Sequence, residues 1–230
     1  MVFFDSTMIL LVPAILLSLY AQYKVSSTFN RFSRVSSNKG MTGAEVAAQL
    51  LAASGIRDVK IQAVPGRLTD HYDPQDKAVR LSEAVYAQRS LAAIGVAAHE
   101  VGHAIQHNRD YGPLALRSGL FPIVNLGSKL AMPLLMLGLF MGYSGFGNWM
   151  LNAGILLFSF VVLFQLVTLP VEFNASSRAI ELLKNQNILS GAEAGPAKQV
   201  LNAAALTYVA SAVMALLNLL RFLILARGRQ

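Results

Sequence analysis

Apolar residues gather into four long runs, set apart by one extended and one short polar stretch. The first run, from about Met8 to Ala21 and extendable toward Phe3, ends in Gln22, Tyr23 and Lys24. It has no basic residue ahead of it and no small-residue cleavage site, which predicts an uncleaved membrane anchor over residues 1–23. From Leu120 to Pro170 the only ionised side chain is Lys129, and GYSGFGN at 142–148 splits that segment into two runs of membrane-spanning length. The pattern predicts a transmembrane hairpin over 120–170, with Lys129 snorkelling near one end and Tyr143 and Trp149 at the interface by the turn. GxxxA at Gly127–Ala131 is read as ordinary helix packing. Val200 to Ala226 is a last run, interrupted by Asn202, Asn218 and Arg221, so that 200–230 either spans or packs against the others.

Residues 24–119 have the turn chemistry of a water-facing domain. Thr42 followed by Glu45 is a capping box, and AEVAAQLLAAS with a stop at Gly55 completes a helix. VKIQAV and KAVRLS alternate as strands do, and Asp73-Pro74-Gln75-Asp76 supplies a turn, predicting a small hairpin or sheet edge. Ser82 and Ser90 can each start helical material, and Leu91–His107 contains no proline, so a helix is expected there. The short polar segment 171–199 is also read as helical.

Composition agrees with this division: 54% of the chain is hydrophobic and only 13% charged, more apolar than a soluble domain of 230 residues. The net charge of +7 is spread through the polar stretches without a basic block, which suits an anionic lipid surface and argues against a nucleic-acid groove. Lysine and arginine concentrate in 24–117 and recur in 172–199, while the turn at 142–148 has none. The positive-inside rule then places both polar segments in the cytoplasm of a multi-pass cell-membrane protein. Arg227 and Arg229 run against that rule if the last run spans. With no cysteine in the chain, transition-metal ligands must come from histidine and carboxylate.

The concentrated chemistry is AAHEVGHAIQH at 97–107, which holds three of the four histidines. On a helix His99 and His103 lie about 40° and about 6 Å apart, so both imidazoles can reach one ion. Glu100 is offset by about 100°, where it can take the proton of an attacking water and pass it to a leaving amine. This is the H-E-x-x-H arrangement of metalloproteases, a short motif that also arises by chance. A buried glutamate and histidines without a metal or partners would be costly, which favours the metal.

A catalytic zinc needs a third protein ligand and an open position. His107 lies about 12 Å along the helix from His99, too far for one ion unless the helix breaks after His103, and Gln106 stands where a glycine would favour that break, so His107 is read as a residue supporting the site or exposed to solvent. Glu172 in LPVEFNASSRAIELL follows His103 by 69 residues, and the intervening hairpin returns the chain to the side it left. The bland alternative for Glu172 is a solvated glutamate at a helix start, where the macrodipole favours it. His71 and Tyr72, just upstream of the motif helix, are read either as cleft-lining or oxyanion-stabilising groups or as a solvent-facing pair. The stretch Leu68–Asp73 is a candidate edge for strand addition by an extended peptide.

HEVGHAIQH, the preceding LTDHYDPQDKAVRLSEAVY and the later LPVEFNASSRAIELL together resemble the bacterial membrane neutral zinc metallopeptidases. More distantly they resemble the gluzincin membrane proteases, including the heat-shock membrane protease and the prenyl-protein protease. The resemblance covers nearly the whole chain. It implies a mainly α integral membrane protein with about four transmembrane helices and a small zincin-like α+β catalytic domain. It implies one zinc per chain held by His99, His103 and Glu172, with Glu100 as general base and a protein or peptide as substrate. In the distant gluzincins an aspartate four residues after the third ligand supports the first histidine; here Ser176 occupies that position, leaving Asn174, Ser176 and Arg178 as supporting candidates. The competing function is a metal-bearing but non-hydrolytic membrane scaffold or quality-control adaptor. A transporter using His99 and Glu100 is disfavoured because the motif precedes the long apolar hairpin, whereas cleavage within the bilayer stays open if the motif helix dips into lipid.

Overall fold

The computed structural model describes residues 6–141 and 144–227; Tyr143 and Arg229, and the extension of the first run toward Phe3, lie outside them. Four helices are long and apolar enough to cross a bilayer, as the sequence predicts for an α-rich membrane protein. They are α1 (Val12–Phe32, preceded by a 3-10 turn at Ser6–Leu11), α4 (Gly112–Phe140), α5 (Gly145–Asn185) and α6 (Gly191–Arg227). The remaining elements are α2 (Gly43–Ala53), the strands β1 (Lys60–Val64), β2 (His71–Asp73) and β3 (Ala78–Ser82), and α3 (Leu91–Asn108).

The chain folds as two compact units. One comprises the chain up to Ala21, Ala115–Leu169 and the chain from Thr207 onward. In it α4 and α5 approach closely because glycine permits it: a Cβ on Gly138 would stand 2.6 Å from the Leu151 nitrogen, and one on Gly154 2.8 Å from Leu135 Cγ. Leu135, Leu139, Leu151 and Phe222 form its buried cluster. Arg221 of α6 is buried, donating from Nε to Thr7 Oγ1 at 3.2 Å and lying over the Phe222 ring.

The other unit, Gln22–Leu114 with Pro170–Leu206, contains the sheet and α3. The capping box forms as the sequence implies: Glu45 N donates to Thr42 Oγ1 at 3.2 Å, and the Glu45 carboxylate accepts from Thr42 N at 2.7 Å. Three strands pair in the order β1-β3-β2. The hairpin is β2 to β3, closed by the turn at 74–77, while β1 pairs with β3 in parallel, Ile61 opposite Val79. A hairpin between the two alternating segments is therefore replaced by a crossover, because the three-residue β2 takes the antiparallel edge. Ser82 starts only a turn, whereas Ser90 caps α3, accepting from Ala93 N at 3.2 Å.

α3 is buried along most of its length, against α2 and β3 and against the α5 residues Ala179 and Leu183. α5 continues unbroken through Pro170 to Asn185. Its 41 residues measure about 60 Å, twice the hydrocarbon thickness of a bilayer, so its polar end must extend beyond the lipid core.

Candidate metal centre

Helical spacing sets the first half of the site. His99 and His103, one turn apart on α3, bring their Nε2 atoms to 3.2 Å, with the rings edge to face. The second half comes from α5. A Cβ at Gly102 would stand 2.7 Å from the Ala175 carbonyl oxygen, so α3 and α5 meet at a distance only glycine tolerates. That approach delivers Glu172, which is 2% exposed, with Oε2 at 3.3 Å from His99 Nε2 and 3.6 Å from His103 Nε2. Glu172 lies inside a helix, not at the start of one.

These three side chains are the group of His, Asp and Glu ligand atoms found close enough to share an ion among the described residues. Their separations fit zinc. Bonds of about 2.0–2.1 Å in tetrahedral geometry put neighbouring ligand atoms about 3.3 Å apart, and the observed edges are 3.2, 3.3 and 3.6 Å. Two imidazoles and one carboxylate also leave the fourth position that a hydrolytic site requires.

Glu100 follows His99 and is 7% exposed. Burial holds its carboxyl above the usual carboxylate range; His99 and His103 oppose this, and the charges of Glu172 and Asp70 reinforce it. Asp70 is itself raised by burial, although its carboxylate accepts from Ser82 N at 2.7 Å and Ser82 Oγ at 2.9 Å.

The outer hydrogen bonds come mostly from α5. Ser176 Oγ lies 3.1 Å from His99 Nδ1. His103 Nδ1 lies 3.0 Å from Gln106 Oε1, and Gln106 Nε2 donates to the Val171 carbonyl at 2.8 Å and to Asn174 Oδ1 at 3.0 Å. Arg178 Nε donates to the same Asn174 oxygen at 2.7 Å. Gln106 carries none of the roles the sequence suggests for its neighbours, yet it is fully buried between the two helices. The available signal was its position, seven residues after His99 and three after His103, which puts an uncharged polar group on the histidine face.

His107 stands apart from the cluster. Its Nδ1 is 2.8 Å from the Tyr72 hydroxyl, whose pKa is pushed up to about 12 by burial and then by the charges of Asp58 and Asp73. Tyr72 thus stays protonated at neutral pH and holds His107 to β2. His71 is exposed, its Nδ1 donating to the Thr69 carbonyl at 2.8 Å.

Comparison with known proteins gives the chain's family. Residues 7–227 match the family model described as "Putative neutral zinc metallopeptidase". The chain belongs to this family. It is 48% identical over 221 residues, 96% of each chain, to a protein of Bacillus subtilis (strain 168) named "Putative membrane protease YugP". No solved structure matches the chain.

The close contact at Gly102 yields a prediction within this family framework. Alanine there gains about 1 kcal/mol of helix propensity but must push the helices apart, at an overpacking cost of about 1–3 kcal/mol. Gly102→Ala is expected to remain helical by circular dichroism and to bind zinc at least about tenfold more weakly by chelator competition, since a ligand edge depends on that packing. Unchanged zinc affinity would show that the approach of α3 to α5 does not set the site.

Proposed function

We propose that the protein is a membrane-anchored zinc-dependent endopeptidase whose active site faces the cytoplasm. The observation carrying this reading is the triangle of His99 Nε2, His103 Nε2 and Glu172 Oε2, with edges matching a tetrahedral zinc and a buried glutamate beside it. His99, His103 and Glu172 would hold the ion. When bound, zinc supplies a Lewis acid that polarises the scissile carbonyl and lowers the pKa of the attacking water.

The chain's own residues do the rest. Glu100 takes the proton released as water attacks and returns it to the leaving amine; a carboxyl held above its ordinary range is suited to carrying that proton between steps. Glu100 and Glu172 are buried, which keeps bulk water from their carboxyl groups. β2 is an edge strand of the sheet, so its free side can pair with an extended peptide backbone, giving affinity with little sequence preference. The cytoplasmic orientation rests on the lysines and arginines of the two polar segments and their absence from the turn at 142–148.

Inverted membrane vesicles carrying the protein are expected to cleave added unfolded casein, to stop on treatment with a chelator and to recover with zinc. Right-side-out vesicles should spare the same substrate. Cleavage only by the right-side-out vesicles would reverse the orientation. Casein left intact by the detergent-solubilised, zinc-loaded protein would count against peptidase activity itself.

A further inference from the structure

The structure assigns to Gln106 a positioning role that nothing in the H-E-x-x-H motif specifies: with Asn174 and Arg178 it locks His103 in the tautomer that presents a bare Nε2 to the ion. The inference rests on the zinc reading only for what that Nε2 binds.

The argument is one of polarity along a chain of hydrogen bonds. A guanidinium can only donate, so the Asn174 atom 2.7 Å from Arg178 Nε must be the amide oxygen. That oxygen also faces Gln106 at 3.0 Å, and the Val171 carbonyl faces the same end of Gln106 at 2.8 Å. Both are acceptors, so the Gln106 nitrogen must point at them and its two hydrogens are used up. The Gln106 oxygen is then turned toward His103 Nδ1 at 3.0 Å, where it can only accept. A neutral His103 must therefore carry its hydrogen on Nδ1, which leaves the Nε2 lone pair directed at His99 and Glu172.

The opposite tautomer would set a ring lone pair against an amide oxygen in a fully buried place, and flipping the amide would set its oxygen against two others. Ser176 cannot impose the same discipline on His99, because a hydroxyl both donates and accepts. Gln106 does a second thing as well. Val171 precedes Glu172, so one amide fastens the backbone that carries the distant carboxylate to the helix that carries both histidines.

The test is tautomer-resolving 15N spectroscopy of histidine-labelled, metal-free protein in micelles, at an alkaline pH where the imidazoles are neutral, beside zinc affinity by chelator competition. Wild type should show His103 protonated on Nδ1 alone. Gln106→Met should mix the His103 tautomers, leave His99 unchanged and weaken zinc binding by about 10- to 100-fold. Asn174→Leu, which keeps Gln106 but leaves only the Val171 carbonyl to orient its amide, should move both readouts in the same direction by a smaller amount, even if the methionine variant folds poorly. Asn174→Asp, whose oxygens still accept from Arg178 and Gln106, should restore the wild-type tautomer. Wild-type tautomer and zinc affinity within twofold in both Gln106→Met and Asn174→Leu would overturn the lock while leaving the peptidase reading intact. A wild type that binds no zinc, with His103 still responding to both substitutions, would support the lock and sink the peptidase reading instead.

Discussion

Glu100→Gln is expected to match the wild type in zinc content and to hydrolyse peptides at least about 100-fold more slowly, the usual scale for loss of a general base. The separation of the two effects follows from placement. Glu100 is outside the group of ligand atoms formed by His99, His103 and Glu172, so an amide of the same shape disturbs no donor. It can no longer accept a proton. Because burial already disfavours an anion at this position, a neutral replacement is tolerated in the metal-free fold. Metal analysis and casein hydrolysis on the same preparation check both halves. Hydrolysis at the wild-type rate would remove Glu100 from the mechanism.

Glu172→Ala is expected to lose zinc affinity by more than about 100-fold, beyond the 10- to 100-fold typical of removing a group that only supports a ligand. Two imidazoles from a single helical turn remain, with Nε2 atoms 3.2 Å apart and without the α5 carboxylate that faces them. The variant should still fold, since the imidazoles beside the void can become neutral and keep their contacts to Ser176 and Gln106. Glu172→Gln, keeping the volume but exchanging an anionic donor for a neutral one, should fall between wild type and alanine. Full zinc occupancy in the alanine variant would exclude Glu172 as a ligand and return His107 to consideration, against its engagement by Tyr72.

The extent to which the fold could be read in the sequence depended on the range of the interactions. The capping box of Thr42 and Glu45 and the cap at Ser90 act within one helical turn, so the residues alone announce α2 and α3. The long apolar runs needed only length and the absence of charge to declare themselves as helices. Strand pairing was harder. β1 and β3 look like two arms of a hairpin, and only the tertiary placement of a three-residue β2 makes them parallel neighbours. Pro170 looked like the end of the hairpin, but a single missing N–H does not terminate a helix whose following turn is packed against α3, and α5 continues to Asn185.

The candidate site divides in the same way. His99, Glu100 and His103 stand in a local pattern, and a membrane excursion that must return suggested Glu172. The structure sets that carboxylate beside both rings. Of the supporting candidates, Ser176 reaches His99 directly, while Asn174 and Arg178 reach His103 only through Gln106. A neutral glutamine carries no charge or motif to mark it, and its role emerges only when two helices bring together residues 65 apart in the chain.

X-ray absorption at the zinc edge of the purified, enzymatically active protein tests the central claim most directly. The account predicts one zinc per chain with two imidazole shells and oxygen donors at about 2.0–2.1 Å, one of them lost in Glu172→Ala. Three imidazoles around the ion, or an active protein without stoichiometric zinc, would contradict it.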